Sequence, residues 1–406
     1  MANLKRGAIK VQGFTDPEMD FQLLRQLGAA AYGASSPGEC FAAVQEIHDN
    51  EPKDWVQTFT RMANHQLQDG LARFAKQHKV SAYGQLIKAC NSFRAGEYYS
   101  PVTTEEHKQL GLKARSSFQQ AMQCVDYHFE SLSLELDGEV LPAYAFFPQK
   151  GKRNHKTLII VSGFDGTLEE EFLMRGIAGL ERGYNIVVFA GPGQMDTWRV
   201  NNTSCFKPDY ERPIQGLIDR LITLKEVNPE KIALCGISFG GYFATRAACY
   251  ENRISALIAN SPITDLYAYM TAFAGIDPLR DIPAADDFGV QDLPEIPEDM
   301  MSRQVKFQCE TLMQRYGKDT FRKTFEYIAR FKVDEQALKQ IHCPVLALIG
   351  NGEGEEPQRQ SREFIKQVQG SEYCFDDKSG ASTHCQVGNV MFANAVMYDW
   401  LDETLN

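Results

Sequence analysis

Between residues 50 and 125 the apolar positions step by three and four. Trp55, Phe59, Met62, Ala63, Leu67, Leu71 and Phe74 follow the run Asn50-Glu51-Pro52, and Leu110, Ala114, Phe118, Met122 and Val125 form a second stripe. That period is one face of an amphipathic helix, and proline suits the first helical turn, where its missing N–H has no partner to lose. The stretch 83–99 reads as a further helix, ending in Arg94-Ala95-Gly96-Glu97-Tyr98-Tyr99. Near residue 126 the pattern changes. Residues 127–135 and 140–147 alternate around Asp137-Gly138, a two-residue hairpin signal. Short apolar runs follow at 157–161, 185–190, 231–235, 254–259, 345–349 and 372–375, with helical segments between them. Strands alternating with helices predict a mostly parallel sheet with helices on both faces.

The pattern divides the chain into an N-terminal helical domain, 1–125, and an α/β domain, 126–406. From 265 to 342 no core strand is expected. Helical patterns at 300–316 and 320–331 follow an irregular Pro- and Asp-rich start, so about 266–342 reads as a helical lid inserted between two strands.

At 406 residues and 43% hydrophobic content the chain has ample material for two cores. Its net charge of −11, with no basic run, argues against a phosphate-binding surface, so nucleic acid is not an expected partner. No apolar run is long enough to span a bilayer, and no membrane partner is expected. The opening segment 1–13 is interrupted by Lys5, Arg6 and Lys10, unlike the apolar core of a signal peptide. Ten cysteines are scattered without a C-x-x-C pair, which fits reduced thiols in a cytoplasmic protein better than a disulfide framework or a zinc site. In that compartment the Asn201-Asn202-Thr203 sequon carries no meaning.

The run 231–242 holds the most chemistry: an apolar strand, then Gly236-Ile237-Ser238-Phe239-Gly240, then a helix with Phe243 and Ala247 on its apolar face. A G-x-S-x-G between strand and helix forces the serine into a strained turn with its Oγ exposed above the sheet, and Ser238 is the candidate nucleophile. The base must follow it in the chain. His342 precedes a strand and lies at the wrong end of the sheet, whereas His384, in Gly380-Ala381-Ser382-Thr383-His384-Cys385, follows the last strand. The acid should lie just past the strand ending at Gly350, where the chain reads Asn351-Gly352-Glu353-Gly354-Glu355-Glu356 and offers no aspartate. Glu353, three residues past Gly350, is the first candidate, with Glu356 and Asp265 as rivals. A glutamate can orient an imidazole as an aspartate does, although its longer side chain demands adjusted backbone spacing.

Two backbone donors are needed for the oxyanion of a tetrahedral intermediate. Phe239, after the nucleophile, is one; Phe164, in Ser162-Gly163-Phe164-Asp165-Gly166 after an early strand, is the other. Asp165 is a candidate for touching substrate or for capping the next helix. Gly191-Pro192-Gly193-Gln194 lacks the third glycine of a dinucleotide fingerprint, and Gly350-x-Gly352-x-Gly354 lacks the Lys-Ser/Thr of a phosphate loop, so no nucleotide cofactor is expected.

Over 126–406 these motifs resemble the α/β-hydrolase superfamily. The helical N-terminal region, Gly163-Phe164-Asp165-Gly166, Gly191-Pro192-Gly193-Gln194, Lys207-Pro208-Asp209-Tyr210-Glu211 and His384-Cys385 are similar to one subgroup of it. That subgroup contains 2,6-dihydroxypseudooxynicotine hydrolase, FrsA-like proteins and fungal hydrolases that shorten polyketide pigment precursors. The resemblance implies a Ser–acid–His triad at an active site between helical and sheet domains, cleavage of esters or of C–C bonds beside a carbonyl, and a homodimer through the helical domain. It departs from the family in offering glutamate where aspartate is usual. Arg94 and Tyr98, polar ends near the domain junction, are candidate substrate contacts. The expected function is therefore a serine hydrolase of a small aromatic or polyketide-like metabolite, needing neither metal nor organic cofactor. Acyl transfer or cyclisation from the same acyl-enzyme, a peptidase, and a non-catalytic binding protein on this scaffold are the alternatives.

Overall fold

A computed structural model of the chain describes residues 6, 7, 9–148, 155–201 and 203–406. Residues 1–5 and 8 of the opening segment and Asn202 of the sequon lie outside them. The chain forms two compact units. One comprises Arg6, Gly7 and Ile9 with the described residues of Tyr127–Asp281 and Phe325–Asn406; the other comprises Lys10–Asp126 and Ile282–Thr324. The segment 266–342 is thus divided between the two.

The first unit is built on one eight-stranded sheet. Its strands are β1 His128–Leu136, β2 Glu139–Phe147, β3 His155–Val161, β4 Asn185–Phe189, β5 Val227–Ile237, β6 Ile254–Asn260, β7 Val345–Gly350 and β8 Ser371–Phe375, in the spatial order β1-β2-β4-β3-β5-β6-β7-β8. The hairpin β1–β2 turns on Asp137 and Gly138, both at positive φ (51° and 80°), the two-residue turn whose twist matches the strands it joins. The β2 strand pairs antiparallel with β4, and all later pairs are parallel. Leu158, Ile159 and Ile160 of β3, Ala233, Leu234 and Cys235 of β5 and Leu257, Ile258 and Ala259 of β6 are fully buried, as continuous apolar runs covered on both faces must be. The β5 strand begins at Val227, earlier than the apolar run at 231, because Val227 pairs with His155 before a register break in β5 that brings Ile232 opposite Thr157.

In the second unit, helices Pro52–Ala75, Lys79–Tyr98 and Glu105–Ala121 carry most of the predicted stripes inward; Leu71, near the end of the first, is instead exposed. Trp55 anchors them: its indole N–H donates to the Ala95 carbonyl (2.9 Å), and its ring meets Phe59 and Tyr99 at 4.5 and 5.4 Å. Helix Arg303–Tyr316 belongs to this unit and brings Phe307 to Tyr99 (5.9 Å).

All ten cysteines are free thiols. Among the described residues no helix is long and apolar enough to cross a membrane.

Candidate active site

The C-terminal ends of β3, β5, β6 and β7 converge on Ser238. Between β5 and helix Gly240–Ala248, Ser238 takes φ 59°, a left-handed conformation that a non-glycine residue holds only when its surroundings enforce it. The enforcement is visible. The Ser238 N–H donates to the Asn260 carbonyl (2.5 Å), and a side chain at Gly236 would sit 1.9 Å from the Gly240 carbonyl oxygen. The two glycines of the motif let strand and helix meet.

Beyond β7 the chain turns back at Gly350, and Glu353 folds under it. One carboxylate oxygen of Glu353 accepts the Gly350 N–H (2.9 Å); the other accepts the Ser261 hydroxyl (2.7 Å) and His384 Nδ1–H (2.6 Å). His384 Nε2 lies 2.8 Å from Ser238 Oγ. The structure therefore brings Ser238, His384 and Glu353 into one line. The reach that glutamate adds over aspartate is taken up by that turn, whose short helix folds the carboxylate back onto Gly350.

Neither rival acid joins the line. Asp265 caps helix Leu266–Ala274 by accepting the Ala268 N–H (3.0 Å), and it pairs with Lys332 (2.8 Å). Glu356 is held by Arg359 at 2.6 Å and by Gln360. Asp165 is half-buried on the loop after β3, and the cap of the helix that follows is Thr167, which accepts the Glu170 N–H (3.2 Å). The capping role considered for Asp165 is therefore corrected. Arg94 and Tyr98 lie in the second unit, where the Arg94 guanidinium covers the Tyr98 ring at 5.5 Å and the Tyr98 hydroxyl donates to Glu18 (2.6 Å).

The His384 loop is held by partners that sequence reasoning did not find. Cys385 and Gln386, both non-glycine, sit at positive φ (56° and 54°). Arg175, ion-paired with Glu171 (2.9 Å), donates to the Cys385 carbonyl (3.1 Å). The Asn260 amide donates to Gln386 Oε1 (2.7 Å), and the His384 N–H donates to the Arg6 carbonyl (2.8 Å). Burial alone would lower the His384 pKa, but Cys385 and the Glu353 carboxylate outweigh it and hold the imidazole above its ordinary range. Tyr269, buried beside Glu353, is raised well above the usual phenol range, first by burial and then by that charge.

Phe239 opens helix Gly240–Ala248, so its amide is one of those a helix start leaves without an intrahelical acceptor. Phe164 sits on the facing loop, and the rings of the two flank Phe206 at 5.4 and 5.1 Å. Among the described residues no group of three or more His, Cys, Asp or Glu side chains could hold a metal ion.

This sheet order, with a Gly-flanked serine after β5, an acidic residue after β7 and a histidine after β8, defines the α/β-hydrolase fold, and the chain has that fold. The prolyl oligopeptidase family, a branch of that superfamily, matches residues 181–280. Alpha/beta hydrolase ucsC of Acremonium sp is 30% identical over 269 residues, 61% of this chain and 54% of that protein. The chain thus spans about half the length of that relative. Hydrolase ORFZ of Pyricularia oryzae is 25% identical over 95% of this chain and 96% of its own. Among solved structures, 2,6-dihydroxy-pseudo-oxynicotine hydrolase superposes with a TM-score of 0.70 at 22% identity, over 93% of this chain and 95% of that one, and so shares its fold.

Proposed function

We propose that this chain is a serine hydrolase that opens an acyl bond, an ester or a C–C bond beside a ketone, in a small aromatic or polyketide-like metabolite. The observation that carries the reading is the unbroken line from Glu353 through His384 to Ser238, at 2.6 and 2.8 Å. Ser238 Oγ attacks the carbonyl carbon while His384 Nε2 takes its proton. Glu353 holds the Nδ1–H and stabilises the imidazolium that forms. The carbonyl oxygen, now an anion, is received by the Phe239 and Phe164 N–H groups. Collapse of the intermediate expels an alkoxide, or an enolate in C–C cleavage, and His384 returns its proton to that oxygen or carbon. Water, deprotonated by His384, then releases the acid and restores Ser238.

The rings of Phe164, Phe206, Phe239 and Phe331 pack on one another at centroid distances of 5.1–5.6 Å, and this apolar packing around the residue after Ser238 supports an aromatic substrate over a charged one. Asp165, on the Phe164 loop, is the proposed polar contact. The same reading places the enzyme in the cytoplasm, with no nucleic-acid or membrane partner.

The test is intact-mass labelling with a fluorophosphonate on wild type and Ser238→Ala, followed by a panel of aryl esters and β-diketones. One adduct on wild type and none on Ser238→Ala is expected, and the panel separates ester from C–C cleavage. A folded wild type that takes no label would overturn the triad.

A further inference from the structure

Two motifs have no part in the chemistry above: Gly191-Pro192-Gly193-Gln194 and Lys207-Pro208-Asp209-Tyr210-Glu211. In the structure they meet at Gln194. We propose that Gln194 is a positioning residue that aims the Phe164 N–H at the oxyanion, an inference that rests on the serine-hydrolase reading.

Gln194 is fully buried. Its amide nitrogen donates to the carbonyls of Ser162 (2.5 Å) and Gly163 (3.4 Å). The Gly163 carbonyl and the Phe164 N–H belong to one planar trans peptide and point in opposite directions. Whatever fixes that carbonyl therefore fixes the direction of the donor. The neighbouring peptide, which carries the Ser162 carbonyl, is held by the same amide.

The side chain has no freedom to turn over. Its Oε1 accepts the Gly191 N–H (2.6 Å) and the Tyr210 hydroxyl, and that hydroxyl also accepts the Gly191 N–H (3.0 Å). Gln194 thus has its acceptor saturated on one side and its donors committed on the other. The Tyr210 ring stacks on Phe243 of the helix that follows the nucleophile, at 3.9 Å. The brace thereby ties the Phe164 loop to the element that carries Phe239.

The loop it holds has no slack. A side chain at Gly163 would come within 2.8 Å of both the Phe239 nitrogen and Ser238 Cβ. The segment between the two motifs adds Phe206, whose ring lies between those of Phe164 and Phe239. One loop therefore supports both donors, through an amide on one and a shared ring on both.

The experiment compares wild type, Gln194→Met and Tyr210→Phe by steady-state kinetics on an aryl acetate, by fluorophosphonate labelling rate and by inhibition with an aryl trifluoromethyl ketone. Methionine keeps the length and removes the donor. In Gln194→Met, kcat should fall roughly 10- to 100-fold with KM within about threefold, since a misaimed donor costs less than a deleted one. Affinity for the ketone should fall in proportion, and the acid limb of the pH profile should stay in place. Tyr210→Phe, which loses only the hydroxyl, should show a smaller decrease in the same parameters. If Gln194→Met does not fold, Tyr210→Phe decides alone.

An unchanged kcat, or a fall accompanied by a displaced acid limb, would overturn the assignment, the second because the base and not the donor had been disturbed. A wild type that neither labels nor turns over an ester removes the hydrolase reading, and this inference with it. A wild type that labels, beside variants that match it, removes the inference alone.

Discussion

The proposed nucleophile and the proposed base reach the same point by opposite means. Ser238 is set by regular structure. A buried strand feeds a turn whose flanking glycines let the following helix close on it, so the strained φ follows from backbone contacts alone, within the turn and to the Asn260 carbonyl on the neighbouring strand. His384 stands on a loop with no such frame. Its left-handed corner at Cys385 and Gln386 is held by side chains from three distant places, Arg175, Asn260 and Glu353, and by the Arg6 carbonyl. A device made of backbone contacts offers few side chains whose loss would undo it; one made of side-chain tethers can be undone by a single distant substitution.

The sharpest break in this comparison comes from the base. His384→Ala should lower turnover by about 10⁴-fold or more, and Glu353→Gln by about 10²- to 10⁴-fold, in stopped-flow or steady-state assays. The pH profile gives the mechanism away. The imidazole acts as a base when neutral, and its pKa is raised, so the acid limb of kcat/KM should lie above the ordinary histidine value of about 6.5. Removing the Glu353 charge removes one cause of the raise, and the limb should move to lower pH in Glu353→Gln. A limb that stays put would mean Glu353 does not face the titrating group.

Arg175→Met tests the tether. It deletes the donor to the Cys385 carbonyl and leaves the buried Glu171 carboxylate unpaired, which should cost about 3–5 kcal/mol in urea unfolding. Pairing it with Glu171→Leu should recover much of that stability while activity stays low, since the tether is still missing. Recovery of both would make Arg175 a structural ion pair and nothing more.

On the nucleophile side, Gly236→Ala places a methyl against the Gly240 carbonyl and should destabilise by about 1–3 kcal/mol by thermal or chemical unfolding. The smallest effects belong to the rival acids. Asp265→Asn and Glu356→Gln should keep turnover within about twofold, with Asp265→Asn costing about 1 kcal/mol at most through its weakened cap. A large loss in either would return the choice of acid to the position the sequence left open.

The same contrast explains what could be read beforehand. The strands, the hairpin at Asp137-Gly138 and the serine turn are all written in local periodicity and glycine placement, and each stands at that pattern, β5 alone starting well before its apolar run. The place of Glu353 beside His384 was legible too, because it follows from a fixed count past Gly350. The tethers were not. Ser261 stands 92 residues from the carboxylate it supports, Asn260 stands 126 from Gln386 and Arg175 stands 210 from Cys385. A lone serine after a strand, or an arginine in a helix, has no spacing that names its partner. Part of the reason lies in the helix around Arg175, which loosens to a π-turn over Phe172–Gly176. Such a turn shifts every later side chain around the axis relative to a regular helix, and no apolar period announces it.

The bond between the His384 amide and the Arg6 carbonyl sets an order in time as well as in space. Arg6 precedes every strand of the sheet and His384 follows them all. A chain still being made on the ribosome presents Ser238 well before its base exists, and during that interval the serine is an ordinary alcohol. On the triad reading, reactivity is therefore withheld until the His384 loop has been made and has met the Arg6 carbonyl.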